Sequence, residues 1–201
     1  LGVLSGLHSA REVVLWTRLE PSLAPGATAV TFGGTAATGF VVGSATSITA
    51  TAPAGSAGTV DITVTAVGGT SATSTDDQFT YLAAPTSSGV APASGATSGG
   101  ASVVITGGNF TSDATVTFGG ATAVVAFDNA NQITATAPSG SAGAVNVVVT
   151  TPGGSATAVN AFTYVAAPTV TGLLPATGPV AGGASVILTG TGFSAATAVK
   201  F

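Results

Sequence analysis

The chain has 201 residues, of which only 5% are charged, and its formal net charge is −4. It contains no cysteine, which excludes disulfides and thiolate metal sites. Three lysine and arginine residues in the whole chain are too few for a surface that binds nucleic acid or an anionic membrane.

The first 26 residues differ in composition from the rest of the chain. They hold the only histidine, His8, the only tryptophan, Trp16, and both arginines. Residues 1–26 are therefore predicted to be a non-repeat leader, either a divergent cap that shields the end of an array or a cloning scar.

No apolar run reaches the ~18 residues that span a bilayer, so membrane insertion is not expected. Because the chain starts at Leu1, we interpret it as part of a longer protein.

From residue 27 onward the same motifs return after 83 to 86 residues. The recurring motifs are ATAVTFGG at Ala27, ATVTFGG at Ala114 and ATAVKF at Ala196; ITATAP at Ile48 and Ile133; and FTYLAAPT at Phe79 with FTYVAAPT at Phe162. Self-similarity at a fixed period is typical of tandem modules, and such arrays serve structural or adhesive roles.

Within each copy, apolar residues alternate with threonine or other polar residues. Val60, Ile62 and Val64 are predicted to share one face of a strand, and Val103 and Ile105 are predicted to face inward in the next copy. Turn pairs such as Gly-Gly and Pro-Gly interrupt the alternation every ~8 to 12 residues, which is typical of an antiparallel β-sandwich. Helix is disfavoured by the high content of Thr, Val and Gly.

The repeats predict three modules: a partial one at 27–83, a complete one at 84–166 and the N-terminal part of a further one at 167–201. The partial module lacks its first two strands unless residues 1–25 supply them. In the complete module we predict strands at 86–91, 101–106, 114–118, 121–127, 132–136, 145–150 and 160–164.

Modules are joined by the short link AAPT, at Ala83–Thr86 and again at Ala166–Thr169. Proline fixes its own φ and pushes the preceding alanine toward an extended conformation. We therefore expect stiff junctions and a rod-like array.

The motifs resemble the IPT/TIG immunoglobulin-like domain family over residues 27–201. The resemblance rests on PTVTGLLPATGPVAGGASVILTGTGF from Pro168 to Phe193, on the VTFGG and ITATAP runs, and on their order along the chain. It implies all-β, tandem immunoglobulin-like β-sandwich modules of about 83–86 residues per repeat. The chain resembles the bacterial surface branch of the family most, because no segment of it matches the basic DNA-contacting loops of the transcription-factor branch.

Neither catalytic, cofactor-binding nor metal-binding residues are predicted. His8 is the only histidine, it stands in the leader, and the chain has no cysteine that it could activate. Asp76 and Asp77 are the one adjacent acidic pair, and they are interpreted as turn and capping residues rather than calcium ligands, because the next copy has Val159 and Asn160 there. Asn109 fits a glycosylation pattern but is interpreted as a turn residue with positive φ.

The aromatic residues are interpreted first as core residues. Seven recur in register: Phe32, Phe118, Phe201, Phe79, Phe162, Tyr81 and Tyr164. Four others leave open a role as platforms for sugar rings: Phe40, Phe110, Phe127 and Phe193.

The expected function is a non-enzymatic extracellular or bacterial cell-surface module, acting as a stalk, an adhesin segment or a filament unit. Its expected partners are neighbouring copies of the same module or chain, or a cell-surface glycan or protein. Polymerisation through strand complementation between the C-terminal and N-terminal partial modules is one form of this hypothesis. The alternative is a carbohydrate-binding accessory module of a secreted enzyme.

Overall fold

A computed structural model describes residues 26–195 and 197–200 of the chain. These residues form β-strands, turns and short 3-10 turns, so the all-β prediction is confirmed. Contacts divide the chain into two units, residues 1–81 and 82–201. We term residues 26–81 the head segment, residues 82–166 the middle segment, and residues 167–195 with 197–200 the tail segment. Most of the predicted leader, including His8, and Phe201 lie outside the described residues.

The middle segment is a sandwich of two sheets. Its strands are β8 Thr86–Ala91, β9 Ser94–Ala96, β10 Ser102–Gly108, β11 Thr115–Phe118, β12 Ala121–Thr122, β13 Val124–Asn129, β14 Gln132–Thr136, β15 Gly143–Thr151 and β16 Gly154–Val165. One sheet has the strand order β13-β14-β10-β8 and the other has the order β12-β11-β15-β16-β9.

Alternation along the strands places one set of side chains between the two sheets. Val103 and Ile105 of β10 are fully buried, as predicted, and face Val147 and Val149 of β15 within one cluster. The rest of the buried cluster consists of Phe110, Ala114, Val116, Phe118, Ile133, Ala135, Ala137, Phe162 and Tyr164. The middle segment therefore has a core of its own.

The head segment repeats part of this architecture. Its strands are β1 Ala29–Phe32, β2 Thr35–Ala36, β3 Gly39–Ser44, β4 Ser47–Thr51, β5 Gly58–Ala66, β6 Gly69–Thr70 and β7 Gln78–Tyr81. One sheet has the order β2-β1-β5-β6, with β7 also paired to β5, and the second sheet consists of β3 and β4. The β3–β4 pair corresponds to β13–β14 of the middle segment, where four strands form the sheet.

Glycine pairs close equivalent hairpins in the two segments. Gly33 and Gly34 have φ of 56° and 83°, and Gly119 and Gly120 have φ of 58° and 91°. Positive φ at both central residues is the requirement of the type I′ turn, which matches the twist of two-residue β-hairpins. The Gly-Gly signal in the sequence thus predicts these turns for a physical reason.

The tail segment contains one hairpin, β17 Thr169–Leu174 paired with β18 Ile187–Thr191. Leu188 lies opposite Leu173, as Ile105 lies opposite Val90 in the middle segment. The tail hairpin is therefore the counterpart of β8 and β10.

Several strands of the middle segment differ from the sequence prediction; the last one, for example, begins at Gly154 and not at residue 160. Two further differences concern the pairing of the strands. The strand predicted at 121–127 is divided at Ala123, because β12 pairs with β11 while β13 pairs with β14 of the other sheet. No strand was predicted at β9, which pairs in parallel with β16 within the otherwise antiparallel sheet. Alternation alone could not show either feature, because it records which face is buried and not which strand is the neighbour.

Candidate functional site: two open half-cores

The middle segment has a complete core, with which the cores of the head and tail segments can be compared. Phe162 meets Phe118 at 5.0 Å and Tyr164 at 5.1 Å between ring centroids, both edge to face. The Tyr164 hydroxyl donates a hydrogen bond of 2.7 Å to the carbonyl oxygen of Pro138. Gly140 lies against the Tyr164 ring, where a Cβ would be 2.5 Å from the nearest ring carbon. The hydrogen bond and the ring contact hold the loop after β14 against strand β16.

Burial raises the pKa of the Tyr164 phenol above its ordinary value of 10.0. The neutral phenol is thus favoured in the folded state, so its contribution to stability is complete below pH ~10 and is lost as the pH rises through the folded-state pKa. We expect the free energy of unfolding to decline above pH ~10 and Tyr164→Phe to weaken that decline, at a cost of about 1 kcal/mol near neutral pH for the lost hydrogen bond. Denaturant titrations between pH 7 and 11 measure both effects.

Tyr81→Phe is the matched control, because Tyr81 makes the equivalent 2.9 Å hydrogen bond to the carbonyl of Pro53 in the head segment. The Tyr81→Phe variant keeps Tyr164, so the free energy of unfolding of the middle segment should still decline at high pH. If the stability of Tyr164→Phe depended on pH as that of the original chain does, Tyr164 would not be the group that causes the decline.

Two of the aspartates make hydrogen bonds that stabilise local structure. The Asp77 carboxylate accepts hydrogen bonds of 3.1 and 3.2 Å from the backbone N–H of Ser74, and the Ser74 hydroxyl accepts one from the N–H of Asp76. The Asp128 carboxylate accepts from the Thr134 hydroxyl at 2.8 Å. In the part of the chain that the structure describes, no three His, Cys, Asp or Glu residues gather as metal ligands would. The Asp77 carboxylate thus caps the short 3-10 turn Thr75–Asp77, to which Asp76 contributes its backbone N–H.

Asn109 has φ of 58°, the left-handed conformation expected from the sequence. Its side-chain amide donates a 2.9 Å hydrogen bond to the carbonyl of Ala84, in the link before the middle segment. The nitrogen that would carry a glycan is therefore engaged in a structural contact.

Aromatic exposure weakens the case for a sugar platform. Phe110 is only 2% exposed and belongs to the core, whereas Phe127 is 40% exposed. Phe40 and Phe193 are half-buried. Of the four residues that the sequence left open as platforms for sugar rings, Phe127 is the most exposed.

A groove of about 720 Å³ opens between the two sheets of the head segment. It is lined by Ile48 of β4, Val42 of β3 and Val64 of β5, among other residues. Ile48 is half-exposed, while its counterpart Ile133 in the middle segment is fully buried. In the middle segment β10 pairs with β14 and places Ile105 beside Ile133 in the core, whereas within residues 26–81 no strand pairs with the other edge of β4.

The tail segment has the complementary opening. A groove of about 510 Å³ is lined mainly by apolar residues, including Val170, Leu173, Leu188 and Phe193. Leu188 is half-exposed, while the equivalent Ile105 is fully buried. The tail hairpin therefore presents an apolar face that has no opposing sheet within the described residues 167–195 and 197–200.

The fold and the repeated half-cores define the chain as a set of immunoglobulin-like β-sandwich modules. The sequence profile of the IPT/TIG domain matches residues 19–81, 85–164 and 168–201. The chain belongs to the IPT/TIG domain family, whose members are non-catalytic immunoglobulin-like modules. None of the curated proteins matches the chain significantly in sequence.

The chain is similar to several solved structures at low sequence identity. The full extracellular region of plexin A4 is 20% identical over 74% of the chain and 13% of its own, with a TM-score of 0.48. SGBP-B from a complex xyloglucan utilization locus in Bacteroides uniformis is 23% identical over 69% of the chain and 42% of its own, with a TM-score of 0.37. Gamma-CGTase from alkalophilic Bacillus clarkii is 25% identical over 53% of the chain and 15% of its own, with a TM-score of 0.37. The chain thus spans less than half the length of each of these proteins.

Within the described residues, no helix has the length and hydrophobicity needed to cross a bilayer.

Proposed function

We propose that the chain is a non-enzymatic structural repeat of an extracellular or cell-surface protein, acting as a stalk or filament unit. The family supports this proposal, since its modules are sandwich domains that serve without catalytic residues. The observation that carries it is the construction of the middle segment, which has a complete core and a parallel pairing between its strands β9 and β16. A labelling experiment with an impermeant reagent on intact source cells would test the location.

The β9–β16 pairing is well placed to resist tension. Ser94 pairs with Thr163 and Ala96 with Val165, and the flanking N–H of Thr97 donates a 3.1 Å hydrogen bond to the carbonyl of Val165. A force on the two ends of the middle segment pulls β9 toward its N-terminal side and β16 toward its C-terminal side. Because the strands are parallel, this load shears the pairing, and its hydrogen bonds must break together rather than one after another.

The surface chemistry fits close packing of neighbouring modules. Cross-strand hydroxyl pairs, such as Thr59 with Thr80 at 2.9 Å and Thr150 with Ser155 at 2.8 Å, satisfy polar groups on the exposed faces. Only 5% of the residues are charged, so few ions must lose water when such faces meet. Neighbouring copies of the module are therefore the proposed partners, and completion of one module by another chain is the proposed mode of assembly.

Stretching single molecules of the full chain tests the structural role. We expect an unfolding event for the middle segment with a length gain of roughly 25–30 nm, since extended chain spans ~3.3–3.6 Å per residue. Thr97→Pro removes the N–H that bonds to Val165 and should lower the unfolding force. Thr97→Val keeps that N–H and should leave the force close to the original. A chain that extends without a resolved event would contradict the proposed function.

A further inference from the structure

The β13–β14 hairpin of the middle segment and the β3–β4 hairpin of the head segment share a backbone but differ in side chains. Positions 127–132, which we term the hairpin tip, read FDNANQ, whereas the equivalent positions 42–47 read VGSATS. In both hairpins the register of the pairing shifts at the same place, directly after Phe127 and directly after Val42. The head segment therefore shows which side chains this backbone requires.

The turn at the end of the hairpin does not depend on an amide side chain. In the middle segment, Asn129 Oδ1 accepts a 2.8 Å hydrogen bond from the backbone N–H of Asn131. In the head segment, the Ser44 hydroxyl accepts the equivalent bond of 3.2 Å from the N–H of Thr46. Asparagine and serine thus close the same turn by the same kind of bond.

Three other side chains of the hairpin tip exceed what the backbone requires. At the positions of Phe127, Asp128 and Gln132 the head segment has valine, glycine and serine, and its hairpin still forms. Phe127 is 40% exposed. Asp128 is one of only two charged residues between positions 84 and 166, the other being Asp113. An exposed ring followed by a carboxylate, at the end of a hairpin on a rigid sandwich, is typical of a binding site.

We propose that Phe127, Asp128 and Gln132 form a binding site for a neutral polysaccharide. The site is additional to the structural role proposed above, and it uses the most exposed of the four candidate rings. One face of a sugar ring carries C–H groups that pack on an aromatic ring, while its hydroxyl groups need hydrogen-bond acceptors close by. The hairpin tip offers both.

Hydrogen bonds orient the two polar side chains of the site. Asp128 Oδ2 accepts from the Thr134 hydroxyl at 2.8 Å and from the Gln132 amide at 3.2 Å. Because both bonds go to the same carboxylate oxygen, Oδ1 of Asp128 keeps its lone pairs for a sugar hydroxyl, as does Oε1 of Gln132. Side chains that are held in place before binding lose less conformational entropy when the ligand arrives.

The charge of the site selects a neutral ligand. The Asp128 carboxylate repels phosphate, sulfate and uronate groups, and no lysine or arginine occurs between Arg18 and Lys200. Calcium needs several oxygens that converge from a loop. Here Oδ2 of Asp128 and Oδ1 of Asn129 already accept hydrogen bonds from the chain itself. An uncharged polyhydroxylated chain is the ligand that the ring and the acceptors fit.

An NMR titration of the isotope-labelled full chain tests the site. The probes are soluble oligosaccharides derived from cellulose, xylan, chitin, starch and mannan. We expect one or more of them to shift the amide resonances of residues 127–134, while those of residues 42–49 stay in place. Phe127→Val and Asp128→Gly should each weaken binding by roughly tenfold or more, because they remove the ring face and the acceptor.

Both variants install the residue that the head segment has at that position, so the hairpin should still form. Asn129→Ser is the matched control, because it exchanges the turn residue for its head counterpart and should leave the affinity unchanged. Replacing positions 127–132 by VGSATS should abolish binding. Unchanged resonances of the middle core in that variant would show that the sandwich is intact.

The proposal would be overturned if none of these oligosaccharides shifted the resonances of residues 127–134, or if Phe127→Val bound as tightly as the original chain. Equal affinity for oligogalacturonate, or binding only in the presence of calcium, would overturn the ligand class. Shifts of residues 127–134 that depend on protein concentration alone would overturn it too, since a second copy would then occupy the hairpin tip. The stretching experiment is independent of all these outcomes, because it depends on the pairing of β9 with β16 in the other sheet.

Discussion

Replacing Phe162 by alanine is expected to lower the free energy of unfolding of the middle segment by about 3–5 kcal/mol. Phe162 has no exposed surface, and its ring contacts Phe118 and Tyr164 edge to face. The substitution removes buried apolar surface, leaves a cavity between the sheets and breaks two aromatic contacts worth ~0.5–1.5 kcal/mol each. Because a domain is stable by only ~5–15 kcal/mol, a loss of this size leaves the middle segment marginal.

Phe79→Ala is the matched control for this effect. Phe79 takes the same position in the head segment and meets Phe32 at 5.3 Å and Tyr81 at 5.0 Å. It is only half-buried, because the head core is open, so we expect a smaller loss. Hydrogen exchange resolved by peptide separates the two segments in one experiment. Equal losses at the two positions would show that the head core is closed in solution.

Replacing Gly107 by alanine should lower the stability of the middle segment by about 2–3 kcal/mol. A Cβ at Gly107 would overlap the carbonyl oxygen of Thr86 and lie 2.6 Å from the Phe110 ring. The obstruction is backbone of β8, at the place where the register between β8 and β10 shifts. The strand must move away for the methyl group to fit, so β8 should exchange its amide hydrogens faster than the rest of the sheet.

The neighbouring Gly108→Ala is the control, since a Cβ there lies 3.1 Å from the Thr86 hydroxyl, the end of a side chain that can rotate. We expect a small effect for Gly108→Ala and a large one for Gly107→Ala in the same denaturant titration. If the two variants unfold at the same denaturant concentration, the close approach of β8 to Gly107 is not tight in solution.

The sequence predicted the strands best where alternation and turn signals agree. Strands β8 and β14 begin and end where they were predicted, at Thr86–Ala91 and Gln132–Thr136. Strand β8 lies between Pro85 and Pro92, and β14 begins after Asn131 of a hairpin turn and ends shortly before Pro138. Local chemistry therefore fixes the limits of both strands. The predicted segment 121–127 was divided because Ala123, whose N–H bonds to Val116, is where the chain changes sheets.

The division into modules at residues 83/84 and 166/167 stays a prediction, as do the absence of a catalytic or metal site, the partners and the extracellular setting. The structure also distinguishes residues that the repeat makes equivalent. Ile48 and Ile133 occur in the same ITATAP motif, yet one is half-exposed and the other is buried. No property of the motif distinguishes them.

The sequence by itself determined the repeat, the all-β class, the family and the inward set of side chains, because period and alternation are local properties that every copy carries. Only the tertiary structure decided which strands are neighbours and that β9 runs parallel to β16. These features depend on contacts between residues far apart in the chain, and identical motifs acquire different surroundings according to the strands that are there to cover them.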